Sequence, residues 1–155
     1  QPPSIGPFIF GTSVRIGGQS SQQPGAFSIT ALRTRSSEDT NRVREFSRRI
    51  AAEMPKMKGF LGWVGATVGD RMLTISAWET ADDPAQLTTG GLHVEAARAF
   101  LGPDLAAGAW TSVWVPDRVN TFWQRCESCG EMVSRDTSGE TCKCGVSLGP
   151  KPSYW

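Results

Sequence analysis

Between residues 27 and 123 the spacing of apolar residues switches back and forth between two and about 3.6, and few topologies accommodate the resulting order. In FSITALRTR (27–35), Phe27, Ile29 and Ala31 alternate with Ser28 and Thr30, a strand with one wet face. Ser36 to Thr40 breaks it. From Asn41 the residues Val43, Phe46, Ile50 and Met54 fall three and four apart, which predicts an amphipathic helix capped by Thr40 or Asp39. Pro55 is its expected stop, and Gly59 closes the turn. Phe60 to Val68 and Arg71 to Glu79 flank Gly69-Asp70 as a hairpin. A second helix starts at Asp82-Asp83-Pro84, is interrupted at Gly90-Gly91, resumes from Leu92 to Leu101 and stops at Gly102-Pro103. Ala109 to Val115 is a last strand, with Trp110, Ser112 and Trp114 on one face. Pro116 ends it, or it could run on through Val119 to Trp123.

Strand, helix, strand, strand, helix, strand folds into a four-stranded sheet with two helices on one face, the ferredoxin-like split βαβ arrangement of the α+β class. The other face carries tryptophans and branched side chains and has no helix to cover it. A second copy of the chain is the simplest cover, which makes a homodimer the expected assembly. The alternative is that residues 1–26 and the C-terminal tail fold back over it.

The 155 residues suit one domain with a small appendage. Three segments are expected: an arm at 1–26, rich in Gln, Pro, Gly and Ser, with an apolar stretch Phe8-Ile9-Phe10 and at most a short strand near Ser13 to Ile16; the sheet-and-helix domain at 27–123; and a tail at 124–155. A formal charge of +1 argues against a dedicated nucleic-acid surface, which is usually strongly basic. No apolar run reaches the 18 or so residues of a membrane span. The sequence as it stands has no charged-then-apolar leader, so the expected location is cytoplasmic.

All four cysteines lie in the tail, in CESCGEMVSRDTSGETCKCG (126–145). Cys126 and Cys129 form a C-x2-C-G knuckle, Cys142 and Cys144 a C-x-C-G one, with twelve residues between the pairs. A disulfide scaffold spreads its bridges; crowding of this kind reads as metal ligation in a reducing compartment. Zinc held by four thiolates is the expected occupant, in a small zinc ribbon. Two disulfides or a rubredoxin-type iron site are the alternatives. Four thiolates leave no open coordination position, so the zinc is structural and supplies the folding energy of a segment with little core. The charges of 124–155 sum to zero, so the tail is expected to dock on the domain or on a partner subunit, with Tyr154-Trp155 in the contact.

In the main domain the lone histidine, His93, follows two glycines near a helix start. It could be an axial haem ligand, a general base or a packing residue. Trp63, Trp78, Trp110 and Trp114 lie on strands and, with Phe27, Phe46 and Phe100, could wall an aromatic cavity between sheet and helices; the plain alternative is a Trp-rich core. Arg33, Arg35 and Arg71 are candidates to bind a carboxylate or propionate, or are simply solvated. The basic span 33–58 and the acidic span 79–105 could aid helix or subunit pairing. GATVGD (65–70) lacks the Lys-Ser/Thr ending of a phosphate loop, and no dinucleotide fingerprint or serine–histidine–acid order appears.

The stretch from Phe27 to Phe122, about three-fifths of the chain, resembles the antibiotic-biosynthesis-monooxygenase-like family of dimeric α+β barrels. The likeness is carried by Ser76-Ala77-Trp78-Glu79, followed about a dozen residues later by Gly91-Leu92-His93 and Ala96 to Phe100. This W-E/D … H-x-x-A pattern is similar to that of the branch that includes relatives of spheroidene monooxygenase. The resemblance implies monooxygenase-like oxidation of a flat, largely apolar or aromatic small molecule. It maps a haem-binding helix histidine onto His93 and the pocket tryptophans of cofactor-free members onto Trp63 and Trp78. The alternative is a non-catalytic dimer that binds haem or another small molecule. The four-cysteine tail lies outside the family's usual pattern.

Overall fold

A computed structural model of the chain describes residues 12–17, 20–102 and 105–153. The apolar stretch at 8–10, Pro103 and the Tyr154-Trp155 pair lie outside the described residues.

The elements follow the expected order with one addition. Strand β1 (Thr12–Gly17) precedes β2 (Ala26–Arg33), α1 (Ser37–Glu53), β3 (Phe60–Val68), β4 (Arg71–Trp78), α2 (Gln86–Thr89), α3 (Gly91–Leu101) and β5 (Gly108–Trp114). The sheet is antiparallel throughout, in the order β1-β3-β4-β2-β5. It therefore has five strands rather than four. The short strand foreseen in the arm pairs along β3, Arg15 opposite Val64 and Ile16 opposite Trp63, and covers what would otherwise be an open edge.

Helix α1 begins at Ser37 rather than Asn41, and its cap is Ser36, not Thr40 or Asp39. The Ser36 hydroxyl accepts from the Asp39 amide at 3.1 Å. Thr40 instead turns inward, its hydroxyl 3.0 Å from the Ser36 carbonyl and 2.7 Å from Thr34 Oγ1. Acidic Glu38 and Asp39 sit in the first turn, where the helix dipole favours them. Pro55 falls in a 3₁₀ turn, Met54–Lys56, that ends the helical run. The second helical stretch breaks at Gly90, as expected, into the single turn of α2 and then α3. Arg49 on α1 meets Glu95 on α3 at 3.3 Å, so the opposite charges of the two spans do face each other across the helix pair.

Register and alternation sort the strands into two faces. Trp63, Gly65 and Thr67 of β3, Met72, Thr74, Ser76 and Trp78 of β4, and Ser28, Thr30 and Leu32 of β2 share the helix side. Two apolar clusters hold the helices there. One joins Ala51 and Met54 to Trp63 and Trp78; the other joins Val43, Met72 and Leu105, with Phe46, Ala99 and Phe100 packed against it. The wet face of β2 is thus the inner one. Its apolar residues Phe27, Ile29 and Ala31 share the open face with Leu73, Ile75, Trp110 and Trp114. Trp110 and Trp114 are 51% and 56% exposed, and Leu73 is exposed as well.

Residues 115–122 have no regular structure, so β5 does not run on to Trp123. Trp123 instead opens β6 (Trp123–Arg125), which pairs with β7 (Met132–Ser134) in a separate two-stranded sheet. This hairpin has its own small core of Cys126, Val133 and Cys142, with Leu148 against it. Among the described residues no helix is long and apolar enough to cross a membrane.

Candidate ligand cavity and metal centre

A cavity of about 370 Å³ lies between α1 and the sheet. Its origin is a run of small side chains. Helix α1 turns Ser47 and Ala51 toward the sheet where a filled core would place leucines, and the strand opposite them carries Gly65. Gly65 also lets the Trp63 indole fold down along the strand: a Cβ at residue 65 would stand 2.5 Å from the ring. Trp63, Ile16, Ala51 and Met72 give the cavity apolar walls, while Ser47, Thr67 and Thr74 add hydroxyls. Arg44 and Arg48, one turn apart on α1, complete the lining on the helix side.

The sequence-nominated residues divide between the two faces of the sheet. Trp63 lines the cavity and is 5% exposed. Trp78 lies behind it, wholly buried. Its Nε1 donates to Ser76 Oγ at 2.8 Å, and Phe60 meets its ring edge-on at 5.6 Å. Trp110, Trp114 and Phe27 lie on the open face, and Phe46 and Phe100 pack in the core. The seven aromatics therefore do not wall one cavity, because strand alternation sends β5 residues 110 and 114 to the side away from the helices.

Arg33 and Arg71 are register partners at the end of β2 and β4, with side chains on the open face. Arg33 is tied to Asp70 at 2.7 Å, and this contact holds the Asp70 carboxyl below its ordinary value. Arg35 is taken by Asp39 at 3.0 Å.

His93, on α3, is half-buried and is not among the residues that line the cavity. Its Nδ1 is buried with no hydrogen-bond partner, and burial lowers the imidazole below its ordinary value of 6.5. A proton on Nδ1 would have no acceptor, so the favoured neutral tautomer carries it on Nε2. Ligation through Nε2 requires the other tautomer, and metal-bound histidines normally have a partner that fixes it. With Arg33 and Arg71 on the opposite side of the sheet from the helix that carries His93, these three residues do not fit one haem.

The cysteines do converge. Cys126 Sγ lies 3.8 Å from Cys144 Sγ, Cys129 Sγ lies 3.6 Å from Cys142 Sγ, and all four sulfurs are within 4.8 Å of one another. All four are free thiols. Sulfurs placed tetrahedrally about 2.3 Å from a zinc ion are about 3.8 Å apart, so the donor set and its dimensions suit that ion. Each knuckle is a tight turn. The Gly130 amide donates to the Cys126 carbonyl and the Gly145 amide to that of Cys142, both at 2.9 Å, and both glycines have positive φ. Cys126 and Cys142 are buried, Cys129 and Cys144 exposed. The amides of Cys129 and Ser128 pull the Cys126 thiol down to about 7. The Glu131 amide also draws on Cys129, but the Cys142 thiol, burial and the other two thiols push it up to about 12. Sulfurs this close cannot all ionise without a cation among them.

Sequence reasoning missed Arg44, Ser47, Arg48 and Gly65. The available signal was the pair of small residues, Ser47 and Ala51, set four apart on a helix whose apolar stripe otherwise reads Val43, Phe46, Ile50 and Met54.

No protein-family model and no curated protein matches the chain. Solved structures do. A ferredoxin-fold protein related to antibiotic biosynthesis monooxygenases, from Listeria monocytogenes, matches with a TM-score of 0.52 at 12% identity, over 68% of this chain and 63% of that one. A monooxygenase-like protein from Listeria innocua gives 0.53 at 13%, again over 68% and 63%. A haem-degrading enzyme from Listeria monocytogenes gives 0.51 at 12%, over 66% and 67%. The chain spans less than two-thirds of the length of the first two, and at such identity the likeness speaks for the fold. The chain therefore has the ferredoxin-like fold of proteins related to the antibiotic biosynthesis monooxygenases, and it carries beside that fold a cluster of four cysteines able to hold a metal ion.

Proposed function

We propose that the chain binds a flat, largely apolar small molecule in the cavity beneath α1 and oxidises it in the manner of a monooxygenase. The observation that carries this reading is the cavity itself, with the Trp63 indole folded along one wall over Gly65. An apolar wall of this kind binds a planar ring and holds water off the face that lies against it. Trp63 is the contact residue, and Trp78 holds it from behind. His93 acts as a base only if substrate or the helix moves, since it lies off the cavity lining. Haem is not part of this reading, because the residues nominated to hold it are divided between the two faces of the sheet.

A non-catalytic binding protein is the second reading. It is favoured by the cavity lining, which includes no histidine, cysteine or carboxylate to move a proton. In both readings the four cysteines hold a structural zinc, two copies of the chain pair through the open sheet face, and the five-stranded sheet with its helices forms the body to which the tail is attached.

Oxygen uptake with a dihydroxynaphthalene as substrate tests the first reading. Uptake above the buffer rate that falls in Trp63→Ala supports it. Binding of the naphthalene without oxygen uptake selects the second, and absence of binding removes both.

A further inference from the structure

The cavity beneath α1 is chemically lopsided. Its sheet side is apolar or hydroxylic. Its helix side carries two arginines, and among the described residues no Asp or Glu lines it. Several other cations nearby are neutralised: Arg49 by Glu95, Arg35 by Asp39, and Lys56 by Glu53 at 3.0 Å. Arg48 has no hydrogen-bond or ion-pair partner among the described residues, although the acidic Glu45 stands only three positions before it. Arg44 is half-buried and engaged in a contact of its own, whereas Arg48 is exposed, so the uncompensated charge stands at the cavity's mouth.

On the reading that this cavity is the ligand site, we propose that its ligand is a planar aromatic acid whose ring lies against Trp63 and whose carboxylate meets Arg48, with Arg44 behind it. The arrangement separates the two ends of such a molecule by their chemistry. The ring enters the apolar part, where its burial is favourable. The carboxylate stays at the mouth, so it need not be fully desolvated to reach its partner. A guanidinium offers paired N–H donors that match a carboxylate, which an ammonium does not. Ser47, between the two arginines on α1, adds a hydroxyl on the same side. A neutral ring of the same size fills the same space but leaves Arg48 in water.

Two probes of matched shape, 2-naphthoate and 2-naphthamide, separate this proposal from the reading beneath it. Binding is measured by titration calorimetry on the wild type, Arg48→Gln and Ser47→Leu, each variant first checked for an unchanged melting temperature. The expected result is that naphthoate binds about tenfold more tightly than naphthamide, the worth of one charge-assisted contact. Arg48→Gln removes that advantage and leaves naphthamide unaffected, while Ser47→Leu, which fills the cavity, weakens both. Equal affinities that ignore Arg48→Gln but fall in Ser47→Leu overturn the acid and keep the cavity. Binding that ignores Ser47→Leu, or no binding of either probe, overturns the cavity and the acid together. If Ser47→Leu melts early, Thr74→Leu, which adds bulk from the sheet side, serves as the second cavity variant, with a loss for both probes expected.

Discussion

The indole of Trp63 lies over Gly65, two residues further along the same face of β3, so closely that one added methyl group would stand 2.5 Å from the ring. The ring has a well-packed buried edge in Trp78, Ala51 and Met54 and cannot retreat freely. Gly65→Ala should therefore destabilise the protein by about 1–3 kcal/mol, the usual cost of overpacking. Urea denaturation measures it, and near-ultraviolet circular dichroism should show the indole displaced. An unchanged midpoint with an unchanged spectrum would mean that Trp63 does not rest on the strand.

Trp78 and Trp114 make the same local contact in opposite surroundings. Each donates its Nε1 to the serine two residues before it, at 2.8 Å to Ser76 and 2.7 Å to Ser112. Trp78 is wholly buried and Trp114 more than half exposed. Trp78→Phe leaves a void and removes the donor to the buried Ser76 hydroxyl, which keeps only its 3.5 Å contact to the Ser28 carbonyl, at a cost of about 2–3 kcal/mol. Water replaces the lost bond in Trp114→Phe, which should cost under about 0.5 kcal/mol in dilute protein. Comparable shifts of the two unfolding midpoints would contradict the burial of Trp78.

The tail should bind one zinc ion per chain, measurable by elemental analysis, and Cys142→Ser should lose it. Because the hairpin has a core of its own, chelation should unfold residues 123–149 while the five-stranded sheet persists by amide exchange. Protons compete for the sulfurs. With Cys129 pushed up to about 12, zinc binding must displace protons, so affinity should fall as pH is lowered from about 8 to about 6. Retention of zinc by Cys142→Ser would sink the assignment.

His93 gives the fold an acid sensitivity of known sign. Burial lowers its imidazole below the ordinary 6.5, so on acidification the unfolded chain takes up the proton first. Stability is fully present above pH 6.5 and is lost as pH falls from there through the folded value. His93→Gln should flatten this part of the profile, read from urea midpoints between about pH 7.5 and 5. A wild-type midpoint that rises on acidification while the variant's does not would reverse the sign.

The open sheet face is expected to pair with a second copy. Trp110→Glu with Trp114→Lys should shift the mass measured by light scattering from two chains to one and leave far-ultraviolet dichroism unchanged. A wild-type protein that is monomeric at all concentrations would remove this expectation.

Much of the fold was legible because its signals are local. The Gly69-Asp70 hairpin, the helix break at Gly90 and the paired cysteine knuckles each depend on residues close together in the chain. What was hidden depends on distant pairing. The weak alternation in β1 suggests a short strand, but its place in the main sheet follows only from its register along β3. Alternation showed that Trp110 and Trp114 share a face, but which face followed only from the pairing of β5 with β2. The cavity was least legible of all, since it arises where small residues of α1 and β3 meet, and the Ser47–Ala51 pair shows only the helix half of it.

The polarity of β2 runs inside out, hydroxyls inward and Phe27, Ile29 and Ala31 outward. If the face pairs as proposed, a dilute protomer leaves that plane in water, and a concentrated one covers it with a second copy. Its stability would then depend on its own concentration.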